Sequence, residues 1–237
     1  MNKYDQNDIY IKLTEKIGLT PKLLSSTRDK IPDNIKQYLP KELFVDIIDN
    51  KPYIKQNGYG LLGTSRIGKS CTNAVIIMSC LKGLIKRLVD YVENKGNDSQ
   101  AINKIKGNLT RCISHDAHKI ANWVYWPDCY DWLQKNAITD FGTDRLPRYP
   151  TECLKKTNLL ILDDLGRESF SKKSSDNGIP YAHGQLALVI NYRNEHNLPI
   201  IWTSNLEEID LINIYGAPMY LRLVELAPPS EWLSRIN

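Results

Sequence analysis

Short apolar runs alternate with longer segments of helical periodicity along most of the chain. Runs at residues 58–62, 122–126, 158–162 and 198–202 are strand-like in length and composition, and apolar residues recur at helical spacing in the segments 71–86 and 184–196. Strands that alternate with helices predict an α/β fold, a parallel sheet flanked by helices. Within 184–196 we expect the buried side to carry Leu186, Leu188, Val189 and Tyr192.

The first part of the chain has a different pattern. Residues 1–55 predict short helical pieces, one starting at Thr20-Pro21 and another across residues 34–49. We therefore expect a small helical N-terminal segment, residues 1–55, ahead of a main domain at residues 56–237. The segment either packs on the main domain or binds a partner.

The composition is that of an ordinary globular protein. The 237 residues are 42% hydrophobic and 24% charged, which argues against disorder and against a small disulfide scaffold. The five cysteines form no C-x-x-C pair, and no window approaches 18 uninterrupted apolar residues. These features predict a cytoplasmic protein with reduced thiols and no membrane partner.

The net charge of +4 is small, but it is unevenly distributed. Residues 82–119 hold eight Lys or Arg against four Asp or Glu. A segment of this kind can contact DNA phosphates independently of base sequence, or a protein partner. The alternative is a solvated surface helix. The candidate contact residues are Lys95, Lys104, Lys106 and Arg111.

A phosphate-binding sequence follows the first predicted strand. Residues 63–70 match the pattern G-x-x-x-x-G-K-[ST] in full. The two glycines let backbone N–H groups approach phosphate oxygens, and the next helix begins with a partial positive charge. We expect Lys69 to bind the outer phosphates and the Ser70 hydroxyl to hold Mg²⁺. The expected nucleotide-binding residues are Gly63, Thr64, Ser65, Arg66, Ile67, Gly68, Lys69, Ser70 and Cys71.

Polar residues also follow the last two predicted strands. Asp163 and Asp164 end a buried apolar run, and Thr203, Ser204 and Asn205 end another. The carboxyl ends of parallel strands meet at one edge of a sheet, where ligands bind. Asp163 is expected to hold Mg²⁺, Asp164 to orient or deprotonate water, and the Thr-Ser-Asn sequence to contact the terminal phosphate or that water.

Together, these sequences resemble the AAA+ ATPases of the DnaC/IstB group, which includes replicative helicase loaders and transposition ATPases. The resemblance implies a P-loop fold with a reduced C-terminal lid, since only 32 residues follow Asn205. It also implies ATP with Mg²⁺ as cofactors and assembly into a ring or spiral homo-oligomer on DNA.

The resemblance further implies roles for individual residues. Residues 63–70 resemble Walker A, the aspartate pair resembles Walker B, and Asn205 resembles the first sensor. Arg222 lies where the family places its arginine finger, which completes the site of a neighbouring subunit. Arg235 is a weaker candidate for the second sensor. The resulting catalytic set is Lys69, Asp164, Asn205 and Arg222.

The leading hypothesis is an ATPase of the helicase-loader type that uses ATP to place a replicative helicase on DNA, with residues 1–55 contacting the helicase. One alternative is a transposition ATPase that recruits a transposase to target DNA. Another is a nucleotide-gated adaptor with little hydrolysis.

One further set of residues has the spacing of zinc ligands. Cys112, His115, His118 and Cys129 include three positions that drift around a helix rather than sharing a face. Ordinary packing is favoured, and no metal other than magnesium is predicted.

Overall fold

The computed structural model describes residues 3–25, 58–64, 68–94, 121–136, 151–170 and 181–230. The chain forms two compact units, one from residues 1–55 and 70–121 and the other from residues 56–69 and 122–237. The predicted domain division at residue 55 stays a prediction, because residues 26–57 lie outside the described part of the chain.

The second unit is built on a five-stranded sheet. Its strands are β1 (Gly58–Leu62), β2 (Ala121–Tyr125), β3 (Leu159–Leu165), β4 (Ile200–Ser204) and β5 (Pro229–Ser230). They lie in the order β2-β3-β4-β1-β5, with β4 parallel to both of its neighbours and β1 parallel to β5. β4 therefore separates the strand that precedes the phosphate loop from the strand that ends in the aspartate pair.

Helices connect and flank these strands. They are α4 (Trp126–Asn136), α5 (Thr151–Lys156), α6 (Tyr181–Glu195), α7 (Glu208–Tyr215) and α8 (Ala217–Leu226). The apolar runs of β3 and β4 are almost completely buried, as expected for strands covered on both faces. The predicted α/β class, a parallel sheet flanked by helices, is confirmed.

One expectation for α6 is wrong. Leu186 and Val189 are buried, but the Leu188 side chain is 49% exposed. The buried stripe continues through Ile190 and Arg193, which follow Leu186 and Val189 respectively by four residues. Leu188 lies about 200° around the helix from Leu186 and so faces away from that stripe.

The buried guanidinium of Arg193 joins α6 to the segments that lead into β3 and β4. Its Nη1 donates to the carbonyl oxygens of Leu154, Lys155 and Thr157 at 2.9, 3.2 and 2.8 Å, and its Nη2 donates to that of Pro199. These carbonyls belong to the end of α5, the turn before β3 and the residue before β4. The arginine thus satisfies helix-end acceptors and fixes where both strands begin.

A glycine in β1 leaves room for a buried tryptophan ring of the neighbouring strand. The Trp202 indole of β4 lies so near Gly60 that a Cβ atom there would come within 2.3 Å of the ring. The indole Nε1 donates to the carbonyl oxygen of Ala227 at 2.9 Å, so the ring cannot move without losing this bond. A side chain at position 60 would therefore disturb the pairing of β1 with β4 and β5.

The first unit holds helices α1 (Lys3–Ile17) and α2 (Pro21–Leu24), and nearly all of α3 (Lys69–Asn94). The predicted helix start is confirmed, since Thr20 is the N-cap of α2 and its hydroxyl accepts from the Leu23 N–H. No described helix is long and apolar enough to cross a membrane. The predicted helix at 34–49 and residues 95–119 of the basic segment lie outside the described residues.

Candidate functional site

The two aspartates at the end of β3 lie in a β-bulge. Leu162 pairs with Trp202 and Leu165 with Ser204, so Asp163 and Asp164 together oppose the single residue Thr203. Asp164 has a φ of 68°, a left-handed conformation that aspartate adopts more readily than most residues. We call residues 163–166 the acid turn.

Thr203 fills the bulge from β4. Its hydroxyl donates to Asp163 Oδ1 at 2.7 Å and accepts from the Asp164 N–H at 2.9 Å. Ser204 is used in the same way, since its hydroxyl donates to the Leu165 carbonyl at 2.7 Å and accepts from the Leu206 N–H at 3.1 Å. The two hydroxyls that were expected to face a ligand instead hold the acid turn and its exit.

Lys69 is folded back onto the phosphate loop. Its Nζ donates to the carbonyl oxygens of Gly63 and Thr64 at 2.6 and 2.8 Å and to Asn205 Oδ1 at 2.7 Å. The lysine is 6% exposed. All three acceptors are uncharged, so a phosphate oxygen would be a stronger partner for the same ammonium.

Burial lowers the pKa of Lys69 to about 8, and the nearby Asp164 and Asp163 carboxylates oppose this shift. Desolvation disfavours the charged ammonium, and the uncharged acceptors compensate only in part. An anion bound beside Lys69 would favour the charged ammonium and raise this pKa again.

Asn205 joins the phosphate loop to the acid turn. While its Oδ1 accepts from Lys69, its Nδ2 donates to Asp164 Oδ1. Asn205 follows β4, the strand between β1 and β3, and this position lets one amide reach both neighbours. Three of the predicted catalytic residues are therefore linked by hydrogen bonds.

Arg167, which was not predicted as a site residue, contacts the same acid. Its Nη1 lies 2.9 Å from Asp164 Oδ2, and its side chain is 61% exposed. The only sequence signal was its position three residues after Asp164 and directly beyond the Asp-Asp-Leu-Gly sequence. In this arrangement Asp164 is held on one side by an amide and on the other by a guanidinium.

A buried polar cluster lies behind the acid turn and was also missed. It comprises Trp126, Glu168, His183 and Tyr215, side chains from α4, the 3₁₀ turn Arg167–Phe170, α6 and α7. The Tyr215 hydroxyl accepts from the Gly166 N–H at 2.9 Å. The cluster therefore contacts the acid turn directly.

The remaining predicted residues are placed as follows. Gly68 directly precedes α3, and Ser70 and Cys71 lie in its first turn. Ser65, Arg66, Ile67 and Arg235 lie outside the described residues. Arg222 is exposed on α8 and donates to Asn191 of α6, so its described hydrogen bond is not to the Lys69 network.

Of the four residues with the spacing of zinc ligands, only Cys129 lies within the described part of the chain. Within the described residues there is no group of three or more His, Cys, Asp or Glu side chains that could hold a metal ion. Cys129 is buried, and burial raises its pKa to about 12, so it remains a thiol. Cys112, His115 and His118 lie outside the described residues.

Solved structures share this arrangement of strands and helices. The DnaC helicase loader aligns with a TM-score of 0.55 at 16% identity, covering 90% of this chain and 99% of that one. DnaI aligns at 0.55 and 18%, covering 91% and 92%. A Streptococcus pyogenes serotype M3 protein described as a primosome component aligns at 0.53 and 16%, covering 92% and 93%.

No protein-family model matches the chain, and no curated protein matches it in sequence. The similarity to the solved structures is thus one of fold, and it extends over about nine-tenths of the chain.

Proposed function

The chain has a DnaC-type AAA+ fold, and from this premise we propose that it is an ATP-dependent helicase loader that oligomerises with ATP on DNA. The observation that carries the proposal is the hydrogen-bonded series Lys69–Asn205–Asp164, which connects the phosphate loop to the acid turn across the central strand. A terminal phosphate placed among these three side chains would meet a cation, an amide and a carboxylate.

The proposed binding step is an exchange of acceptors at Lys69. ATP would replace the Gly63 and Thr64 carbonyls with phosphate oxygens, and charge-assisted hydrogen bonds of this kind are about twice as strong as neutral ones. Asp164, whose two carboxylate oxygens can each accept a further hydrogen bond, would then orient the attacking water. Asn205 would contact the terminal phosphate, because its side chain lies between Lys69 and Asp164 and is hydrogen-bonded to both.

The proposed magnesium ligands are the Ser70 hydroxyl and the Asp163 carboxylate. Both are hard oxygen donors, and magnesium typically takes one or two such protein ligands beside phosphate oxygens and water. Thr203 fixes the orientation of the Asp163 carboxylate through its 2.7 Å hydrogen bond. When bound, the ion would neutralise charge that develops on the phosphates.

The proposed partners follow from the fold and the charge distribution. Residues 1–55 would contact a replicative helicase, and the basic residues between 82 and 119 would bind DNA phosphates. Arg222 would complete the site of the next subunit in a homo-oligomer. Its exposure on α8 supports this role, since a residue that acts in trans must reach the surface.

Hydrolysis is the first test. The protein should hydrolyse ATP in a DNA-stimulated, Mg²⁺-dependent reaction, and Lys69→Ala or Asp164→Asn should lower kcat by about 100-fold or more. Lys155→Ala is the matched control, because Lys155 pairs with Glu152 on α5 and belongs to no part of the site. Tight ATP binding without turnover in the unaltered protein would instead indicate a nucleotide-gated adaptor.

The partner is tested by co-purification. A replicative helicase should be retained by the full chain and lost when residues 1–55 are removed, while ATP binding by the shortened protein shows that the ATPase domain is intact. Retention of a transposase in place of the helicase would contradict the loader assignment and support the transposition alternative.

Mixing two inactive variants tests the arginine finger. Arg222→Ala protein and Asp164→Asn protein should partly restore hydrolysis together, because each supplies the group that the other lacks at a shared site. If activity does not recover at any mixing ratio, Arg222 does not act in trans.

A further inference from the structure

Glu168 is a buried carboxylate that the proposed ATPase chemistry does not use. Its side chain is 1% exposed, and its Oε1 accepts from Trp126 Nε1 at 2.8 Å and from the Tyr215 hydroxyl. His183 Nε2 lies 3.6 Å from the same oxygen. Burying a carboxylate is costly unless it is well hydrogen-bonded, so these partners make the side chain rigid.

Tyr215 connects this carboxylate to the acid turn. Its single hydroxyl proton is donated to Glu168, and this leaves the hydroxyl oxygen to accept from the Gly166 N–H at 2.9 Å. Burial and the neighbouring Glu168 carboxylate hold the pKa of Tyr215 well above its usual value, so the hydroxyl keeps its proton. The direction of both hydrogen bonds is therefore fixed.

Gly166 has a backbone conformation that glycine adopts readily and other residues do not. It has a φ of 88°, and a Cβ atom there would lie 2.5 Å from Leu206 Cδ1. It follows Asp164, which is also left-handed, by two positions. Thr203 holds the Asp164 N–H on one side, and Tyr215 holds the Gly166 N–H on the other. The backbone that presents the Asp164 carboxylate is thus pinned at both ends.

Glu168 also lies in the same short turn as Arg167. Glu168 lies in the 3₁₀ turn Arg167–Phe170 and points into the core, while Arg167 of that turn contacts Asp164 Oδ2. Tyr215 is the last residue of α7, directly before Gly216 and the helix α8 that bears Arg222. A movement of the α7–α8 corner would therefore displace the acid turn through the hydrogen bond between Tyr215 and Gly166.

We propose that Glu168 and Tyr215 are positioning residues that hold the acid turn, and with it the Asp164 carboxylate, in the geometry required for hydrolysis. This inference rests on the proposed ATPase function. It assigns the pair no contact with nucleotide, so it separates turnover from binding. Nucleotide affinity depends on the phosphate loop, whose Lys69 contacts do not involve either residue.

The test removes the hydroxyl group from each of two tyrosines and compares the results. Tyr215→Phe should lower kcat by about tenfold or more, since small displacements of reacting groups have effects of this size, while the Kd for a fluorescent ATP analogue stays within about twofold. Tyr220→Phe is the control, because Tyr220 is a buried tyrosine of α8 whose hydroxyl has no hydrogen-bond partner among the described residues. It should leave both quantities unchanged.

Substitutions at Glu168 extend the test and guard against misfolding. Glu168→Gln keeps an oxygen that accepts from Trp126 and Tyr215 and should retain more of kcat than Glu168→Ala, at unchanged Kd. A kcat for Tyr215→Phe equal to that of Tyr220→Phe would overturn the inference. So would parallel losses of kcat, nucleotide affinity and Tm in both Tyr215→Phe and Glu168→Gln, because these indicate a structural role alone. An absence of turnover in the unaltered protein would refute the ATPase proposal itself.

Discussion

The Lys69 ammonium of the phosphate loop donates a 2.7 Å hydrogen bond to the side-chain oxygen of Asn205, at the end of the neighbouring strand. The Asn205 amide nitrogen in turn donates to Asp164 Oδ1. A single side chain is therefore hydrogen-bonded to both the cation that would bind phosphate and the acid that would act on water.

Removal of the Asn205 side chain should separate turnover from binding. In Asn205→Ala, Asp164 loses the donor that orients Oδ1, so kcat should fall by about 10- to 100-fold. The Kd for ATP should change by no more than about threefold, because the phosphate loop itself is intact. Steady-state hydrolysis and equilibrium binding measure the two quantities. Asn213→Ala, at an exposed position of α7, is the control. Equal kcat values for the two variants would exclude the proposed role of Asn205.

The lowered pKa of Lys69 predicts a proton uptake on nucleotide binding. With the uncharged acceptors that surround it in the structure, Lys69 has a pKa of about 8, so its side chain is largely neutral above that pH. Bound phosphate favours the charged ammonium and raises the pKa towards its usual value of about 10.4. Between about pH 8 and 10, ATP binding should therefore take up a proton, and below about pH 7 Lys69 should contribute none.

Calorimetry in buffers of different ionisation enthalpy measures this uptake directly. Lys69→Arg is the control, since an arginine stays protonated throughout this range and should show no uptake from position 69. The difference in pKa also affects stability. The unfolded chain keeps the Lys69 proton up to about pH 10.4, whereas the folded chain releases it above about pH 8. Without ATP, the free energy of unfolding should therefore rise between about pH 8 and pH 10. A proton release on binding at pH 9 would contradict the lowered pKa.

The hydroxyl of Thr203 should contribute to the free energy of unfolding. Thr203→Val preserves the shape of the side chain but removes the group that contacts Asp163 and the Asp164 N–H. Loss of a buried hydrogen-bonding partner costs about 1–3 kcal/mol of the free energy of unfolding. Thr157→Val is the matched control, because Thr157 is equally buried but its hydroxyl donates only a 3.4 Å bond to the Leu159 carbonyl. Urea denaturation of the two variants should show a clearly larger loss for Thr203→Val.

The parts of the fold that the sequence predicted are those with local signals. β3 and β4 are buried on both faces, so their sequences must be continuously apolar, and the phosphate loop needs glycine and lysine at fixed spacings. Asn205 could be predicted because polar residues at the exit of a parallel strand lie at the ligand-binding edge. These features depend on neighbours in the chain and on the strand alone.

The features that were missed depend on distant contacts. Tyr215 is 49 positions from Gly166, and no periodicity or spacing relates the two residues. The β-bulge likewise explains why the Thr203 and Ser204 hydroxyls do not face a ligand. The extra residue in β3 interrupts the pairing with β4, and the two hydroxyls form hydrogen bonds with the Asp164 N–H and the Leu165 carbonyl instead. The orientation of a strand-end hydroxyl is decided by the partner strand, which the sequence does not show.

Arg167 provides the last prediction. Asp164 Oδ1 accepts from Asn205 and Oδ2 from Arg167, so both donors compete with water for the lone pairs of the carboxylate. Arg167→Ala removes one competitor and should raise basal hydrolysis by about two- to fivefold, the equivalent of a barrier change below about 1 kcal/mol. The variant should lose less than about 1 kcal/mol of stability, since the pair is partly exposed.

Lys155→Ala is a well-matched control for this experiment. Lys155 and Glu152 form an ion pair with the same spacing of three residues and the same 2.9 Å separation, but on α5 and away from Asp164. Both variants should therefore show a similar small change in the free energy of unfolding, and only Arg167→Ala should alter kcat. A fall in hydrolysis for Arg167→Ala would mean that the guanidinium assists the reaction, for example by contacting the terminal phosphate, rather than competing with water for Asp164.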